Sequence, residues 1–226
     1  MNILLDSIQT SMKNSKPFII ALAGGSGSGK TTVSKIIATS LPWKTTIVPL
    51  DQFYADLSHL PLQERKKINF DAPESIDMDL AYHTIFDLHH GRETTIPVYD
   101  FPSYNRSSQI ERLSPAPIIL FEGMHVLYHE PLLELYDMSI FLNIDEQTRF
   151  ERKLERDIRE RGRTYGSVCD MWRTFTKPMH NIYVQPTCIR ADLVFTDSFA
   201  TQVIQVITDI IHQKINMSHN ISGYLP

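Results

Sequence analysis

Between residues 18 and 196, short apolar runs alternate with longer segments that repeat at helical spacing, and this alternation dictates the class of fold. Phe18-Ile19-Ile20-Ala21-Leu22-Ala23, Lys44 to Leu50, Pro117 to Phe121, Met138 to Asn143 and Asp192 to Phe195 are β-branched or apolar stretches of strand length. Unbroken apolarity, rather than strict alternation, is what a parallel strand shows when helices cover both of its faces. Between these runs, Thr32 to Ala38 carries apolar residues at helical spacing, and Asp77 to His90 predicts a helix with Leu80, Ile85, Phe86 and Leu88 inward and Gly91 as its stop. Asp145 to about Arg161 predicts a charged helix with a narrow apolar stripe of Phe150, Leu154 and Ile158, and about Ala200 to Ile215 predicts a last helix. Ile96 to Tyr104, interrupted by Pro97 and Pro102, reads as extended and can pair with Ile110 to Leu113 as a small hairpin. Gln52 to Ser75 has no period and reads as loop and short helix over a site. The pattern predicts an α/β fold, a doubly wound five-stranded parallel sheet with a β-hairpin insertion and a helical lid.

The link between the first strand and helix supplies the chemistry. Gly24-Gly25-Ser26-Gly27-Ser28-Gly29-Lys30-Thr31 matches G-x-x-x-x-G-K-[ST] in full. Phosphates need donors that approach closely with little bulk; glycine permits the backbone N–H groups to turn inward, and the following helix adds its positive end. Lys30 supplies a cation for the β- and γ-phosphates, and the Thr31 hydroxyl is placed to ligate Mg²⁺. The residues from Gly24 to Thr32 form the candidate triphosphate site of a P-loop NTPase fold. A dinucleotide loop is excluded by spacing: from Gly25 the third glycine position is Lys30, and from Gly24 the second is Ser26.

Composition narrows the partners. A chain of 226 residues fits one large domain, expected at 17–215 with a lid at about 150–166, between an N-terminal extension (1–16) and a loose polar tail (216–226). A formal charge of −4 argues against a general nucleic-acid binder. Cys169 and Cys188 are too few for a disulfide framework and read as reduced cytosolic thiols, while Ile3-Leu4-Leu5 is too short for a signal core or membrane span. A cytoplasmic protein with no membrane partner is expected.

Three carboxylates are candidates for the chemistry of phosphoryl transfer. Glu122 ends an apolar strand and suits a Mg²⁺ shell, or else marks a plain strand-end turn. Asp51 ends another strand, where ligands of open α/β sheets gather; it is the leading general base and a further candidate beside the metal, with an N-cap of a helix beginning at Gln52 as the alternative. Asp71, within Asn69-Phe70-Asp71-Ala72-Pro73, can accept from an acceptor's hydroxyls or serve turn chemistry alone. In the charged helix most side chains read as solvated, but Arg156, Arg161 and Arg163 gather near Gly162, where guanidinium groups of a lid suit phosphoryl oxygens. His89-His90 reads as a helix-end dipole contact, and Trp43 and Trp172 as packing.

These motifs, taken in order, resemble the uridine/cytidine kinases of the P-loop kinase superfamily from about Phe18 to Thr196. Asp51-Gln52-Phe53-Tyr54 is similar to the family's D-x-F-Y, Asn69 to Pro73 to its N-F-D-x-P, Pro97-Val98-Tyr99-Asp100-Phe101 to its P-x-Y-D-F, and Phe121-Glu122-Gly123 to its F-E-G. Arg156-Asp157-Ile158 and Glu160-Arg161-Gly162-Arg163 are similar to its lid. The resemblance implies Mg²⁺-dependent transfer of the γ-phosphoryl of ATP or GTP to the 5′-hydroxyl of uridine or cytidine. In that reading Asp51 is the base, Asp71 holds the ribose, and Tyr54, Phe70, Tyr99, Tyr104, Lys153 and Arg163 line the nucleoside site. Arg156 and Arg161 join the triphosphate site, and a homo-oligomer, commonly a tetramer, is implied. Tyr104 stands where the family commonly has histidine, Lys153 where it tends to have arginine, and Met171 where a polar residue is expected. Uracil and cytosine swap donor and acceptor at two adjacent positions, so a phenol in place of an imidazole bears on that choice. Two rivals remain: a related kinase acting on another small alcohol, and a nucleotide switch. Against the switch, Thr176-Lys177-Pro178-Met179 lacks the aspartate of a guanine-reading [NT]-K-x-D.

Overall fold

A computed structural model describes residues 16–196 and 204–213. Five parallel strands form one sheet: β1 (Phe18–Gly24), β2 (Thr45–Pro49), β5 (Ile118–Glu122), β6 (Met138–Leu142) and β7 (Leu193–Phe195), in the spatial order β2-β5-β1-β6-β7. The apolar runs divide by parity. Ile19, Ala21, Ile119, Phe121 and Phe141 join one core, and Ile20, Leu22, Ile118, Leu120, Ile140 and Leu142 the other, all fully buried. Helix α1 (Lys30–Ser40) covers the second face with Val33 and Ile37, joined by Ile204, Ile207 and Ile211 from the helical residues 204–213. Helix α2 (Met78–His89) covers the first with Ala81, Ile85 and Leu88; the Asp77 side chain caps it by accepting from the Leu80 N–H. The ends expected at Ala200 and Ile215 for the last helix, the extension up to residue 15 and the tail lie outside the described residues.

The second arm of the hairpin is longer than the sequence pattern predicts, while the first, expected extended as far as Tyr104, stops at Asp100 and leaves 101–104 as the turn. β3 (Thr94–Asp100) pairs antiparallel with β4 (Asn105–Leu113), so β4 starts five residues before Ile110. Much of β4 is exposed and polar, which leaves no alternation to read. The register shifts between Pro97 and Tyr99, next to the residue that has no N–H to donate. Arg106 anchors the hairpin to the body: its Nε donates to the Tyr54 carbonyl (2.7 Å) and its Nη2 pairs with Asp77 (3.1 Å).

The charged helix α3 (Glu146–Arg161) corrects the expected apolar stripe. Ile158 is 43% exposed, and the buried positions are instead Arg149, Lys153 and Asp157, four residues apart on one face. That face meets the phosphate loop and the cleft rather than an apolar layer, so it buries charge. Gly162 ends α3 in the left-handed region (φ 62°), which glycine adopts without strain. The sequence pattern is silent on the segment beyond Gly162. It holds α4 (Tyr165–Met171), continued by two π-helical stretches, Trp172–Thr176 and His180–Val184, on either side of Pro178. Pro178 cannot donate, and its ring crowds the preceding turn, which accounts for the widened ladder at this point.

Candidate active site

Sheet register, more than sequence proximity, assembles the site. Leu22 and Pro49 flank Glu122 in the ladder, so the phosphate loop after β1, Asp51 just past β2 and Glu122 at the end of β5 lie side by side at the carboxyl edge of the sheet. A cleft of about 650 Å³ opens there, lined by much of the loop, both acids, Asp71, the aromatic residues of the hairpin and the outer arginines of α3, among them Arg156 and Arg161.

The phosphate loop is shaped by what its glycines exclude. At Gly24 (φ 147°) a Cβ would sit 2.7 Å from the Ser28 Oγ and 2.8 Å from the Leu142 carbonyl; at Gly27 (φ 80°) it would collide with the Arg149 carbonyl. The loop is therefore pressed against α3 and β6 and cannot accept side chains there. Lys30 turns back onto the loop, its Nζ donating to the carbonyls of Gly24 (2.9 Å) and Gly25 (3.1 Å). Burial lowers the Lys30 pKa, while the charges of Glu122 and Asp51 oppose that shift. Behind Gly25 stand Arg149 and His180, both buried.

Thr31 and Glu122 touch: the Thr31 hydroxyl donates to Glu122 Oε1 at 2.8 Å. Burial raises the Glu122 pKa, with Lys30 as the main opposing charge. Among the described residues no cluster of three or more His, Cys, Asp or Glu is arranged to hold a metal. A hydroxyl and a carboxylate still form an all-oxygen pair of the kind Mg²⁺ accepts, because that ion keeps several waters and takes phosphate oxygens for the rest.

Asp51 lies in a 3₁₀ turn, Leu50–Phe53, whose N-cap is Pro49, so it does not cap a helix starting at Gln52. Among the described residues no protein group hydrogen-bonds to its carboxylate, and the residue borders the cleft. Asp71 lies across the cleft, nearly buried, and is held by side chains from far along the chain: Thr176 Oγ1 donates to its Oδ2 (2.9 Å) and His125 Nε2 to its backbone carbonyl (2.9 Å).

An aromatic box closes the same end. Tyr54 packs edge-on to Phe70 (5.4 Å between centroids) and tilted against Tyr99 (4.9 Å); Phe70 faces Tyr104 at 5.8 Å. Burial raises the Tyr54 pKa far above that of a free phenol, the nearby Asp51 charge adding to it. Tyr104 has φ 53°, unusual for a residue with a Cβ, and Arg163 Nη2 reaches its hydroxyl at 3.5 Å. The other nitrogen of that fork contacts the Met171 sulfur. Arg161 lies over Phe101 at 4.1 Å, a cation–π contact that the sequence does not reveal.

Four cations along α3 and just past Gly162 converge on one buried carboxylate. Asp157 pairs with Lys153 (2.9 Å) and Arg156 (2.8 Å), with Arg161 and Arg163 each at 3.6 Å. Burial alone would raise its pKa; Lys153, Arg156 and Arg161 outweigh burial and hold it at about 2. One aspartate among four cations leaves a strongly positive wall facing the phosphate loop, suited to a polyanion. The expectation that most charges of α3 are solvated fails at Arg149 and Lys153, both buried; Arg156, Arg161 and Arg163 gather near Gly162 as expected, and Glu155 and Arg159 form the exposed i, i+4 pair expected.

The expected site residues thus share one cleft, with Gly24, Gly25 and Ser28 shaping the loop behind it. Arg149, His125, Thr176 and Phe101 are additions. The 149, 153, 157 spacing points to Arg149, and Phe101 ends the Pro97 to Phe101 motif; His125 and Thr176 carry no sequence signal.

Residues 19–204 match the family described as Phosphoribulokinase / Uridine kinase family. The chain is similar to the uridine kinase of Lactobacillus helveticus, 37% identical over 90% of this chain and 98% of that one, and to the uridine kinase of Bacillus cereus, 37% identical over 91% and 100%. Its fold is similar to the crystal structure of phosphoribulokinase from Rhodobacter spheroides (TM-score 0.61, 16% identity, 82% of this chain and 73% of that one). Among the described residues no helix is long and apolar enough to cross a membrane.

Proposed function

The chain belongs to the phosphoribulokinase/uridine kinase family, and from that premise we propose that it is a uridine kinase. It transfers the γ-phosphoryl of ATP or GTP to the 5′-hydroxyl of uridine or cytidine, giving UMP or CMP for pyrimidine salvage in the cytoplasm. The observation that carries this reading is the cleft itself, with a phosphate loop at one end and an aromatic box with Asp71 at the other. Asp51 lies where an acceptor hydroxyl from the box would meet a phosphoryl group from the loop. The kinase unit is residues 17–215, with the lid at about 150–166.

In this mechanism Asp71 holds the ribose hydroxyls while Tyr54, Phe70 and Tyr99 pack around the nucleoside. Asp51 takes the 5′-hydroxyl proton as that oxygen bonds to the γ-phosphorus and the β–γ bridge breaks, leaving ADP or GDP. Lys30 moves from the loop carbonyls to the β- and γ-oxygens, and Arg156 and Arg161 neutralise the outer charge. Thr31 and Glu122 would hold Mg²⁺, directly or through water, and the ion when bound supplies charge neutralisation of the phosphates.

Initial rates with uridine, cytidine, their 2′-deoxy analogues and unrelated small alcohols, each with ATP and with GTP, test the proposal. Ribonucleosides are expected to be the preferred acceptors. Turnover confined to a sugar phosphate would sink the reading, as would hydrolysis unaffected by nucleoside. In the same panel Tyr104→His is expected to change the uridine to cytidine ratio of kcat/KM, because a phenol and an imidazole offer different donors and acceptors to the base edge. Equal ratios would remove Tyr104 from base reading.

Glu122 gives the site a pH dependence with a definite sign. Its pKa is raised, so on acidification it takes up a proton at a higher pH than an ordinary carboxyl, and a proton there competes with the metal. The apparent Mg²⁺ requirement is expected to increase as pH falls towards and through that raised value. Glu122→Gln should need more Mg²⁺ than the parent above that raised value, converge with it below, and lose this dependence. A requirement that stays flat with pH in the parent enzyme would exclude Glu122 from the metal.

A further inference from the structure

Asp71 is fixed at each of its polar groups except one carboxylate oxygen. Its N–H donates to Asn69 Oδ1 (3.2 Å), its carbonyl accepts from His125 Nε2 (2.9 Å), and its Oδ2 accepts from the Thr176 hydroxyl (2.9 Å). His125 and Thr176 are 0% and 2% exposed, so water does not compete for either bond. Among the described residues no protein group donates to Oδ1, and Asp71 lines the cleft.

The Thr176 bond departs from local habit. A helical threonine commonly returns its hydroxyl to a carbonyl one turn back, as Thr39, Thr84 and Thr208 do here towards Lys35, Leu80 and Ile204. Thr176, the last residue of the first π-helical stretch, reaches instead across 105 positions of sequence to an acid of the cleft. It belongs to the element that follows the lid and is not itself part of the cleft lining.

Resting on the reading of Asp71 as the ribose ligand, we propose that Thr176 is a positioning residue. It locks the rotation of the Asp71 carboxylate so that Oδ1 faces the vicinal 2′- and 3′-hydroxyls, and thereby sets the preference for ribonucleosides over 2′-deoxyribonucleosides. His125 fixes the backbone of the same residue, so the acid can neither turn nor retreat. A site built to accept from substrate hydroxyls rejects the analogue lacking one only while the acceptor stays aimed. Without Thr176, Oδ1 and Oδ2 exchange places and the acid adapts to a deoxyribose.

Thr176→Val removes the donor at nearly constant volume. The expected result is a roughly tenfold rise in KM for uridine, as befits loss of one charge-assisted hydrogen bond. The preference for uridine over 2′-deoxyuridine should fall by a similar factor, with kcat and the KM for ATP within about twofold of the parent by the same reasoning. Thr176→Ser, which keeps the hydroxyl, should restore both. If the valine variant does not fold, Thr176→Ala is measured in its place. A Thr176 variant that keeps the parental ribose preference overturns the proposal, as does one that weakens ATP and uridine equally. Asp71→Asn separates the two levels: if it collapses the ribose preference while loss of the Thr176 hydroxyl does not, only the role of Thr176 fails. If Asp71→Asn leaves the preference intact, Asp71 is not the ribose ligand, and this proposal falls with that assignment.

Discussion

Asp51→Asn is expected to lower kcat by roughly 10²- to 10⁴-fold, the range that a positioned general base contributes. The KM for ATP should change little. The substitution keeps size and polarity, and among the described residues no protein hydrogen bond ends on this carboxylate, so the fold has nothing to lose there. The variant loses the ability to accept a proton between the loop and the aromatic box. Asp51 also lies near enough to Lys30 for their charges to couple, and its place beside Glu122 makes a role beside the metal the competing explanation. Magnesium titration separates the two: a metal role predicts that high Mg²⁺ restores turnover, a base role that it does not. Parental kcat in the asparagine variant would remove Asp51 from proton transfer altogether.

Asp51 stands out in the sequence because it ends an apolar run, and the same logic makes much of the fold legible. The three central strands β1, β5 and β6 are continuous apolar runs because helices cover both faces, and the edge strands β2 and β7 show as short β-branched or apolar runs, so the pattern marks all five and their class. The strand ends then put the phosphate loop, Asp51 and Glu122 at one edge, since parallel strands share a carboxyl edge. Burial on α3 is not legible in the same way. Its inner face carries Arg149, Lys153 and Asp157, and an apolarity count assigns charged residues to solvent. Only their four-residue spacing hints that they share a face. Thr176 and His125 give no signal, because their partner Asp71 is distant in sequence and a lone threonine or histidine has no pattern. The π-helical turns around Pro178 are equally silent, since proline predicts an interruption but not the register beyond it.

Lys30→Met is expected to cost roughly 10²- to 10³-fold in kcat, the scale found when a donor aimed at developing charge is removed from a water-poor site. The KM for the triphosphate should rise as well, because Lys30 serves the bound ground state and the transition state alike. Lys30→Arg is not expected to rescue. Lys30 Nζ sits within hydrogen-bond reach of both the Gly24 and Gly25 carbonyls in a loop pressed against α3, and a planar guanidinium fork cannot occupy the place of that compact ammonium. A second consequence distinguishes this role from simple loss of a phosphate contact. Lys30 is the principal charge opposing the burial that raises the Glu122 pKa, so removing it should raise that pKa further. The proton then competes with the metal at a higher pH, and the acid limb of the Mg²⁺ dependence should move upward in Lys30→Met relative to the parent enzyme. An arginine variant with parental activity would show that any cation suffices at this position. A methionine variant with an unshifted acid limb would uncouple Lys30 from Glu122.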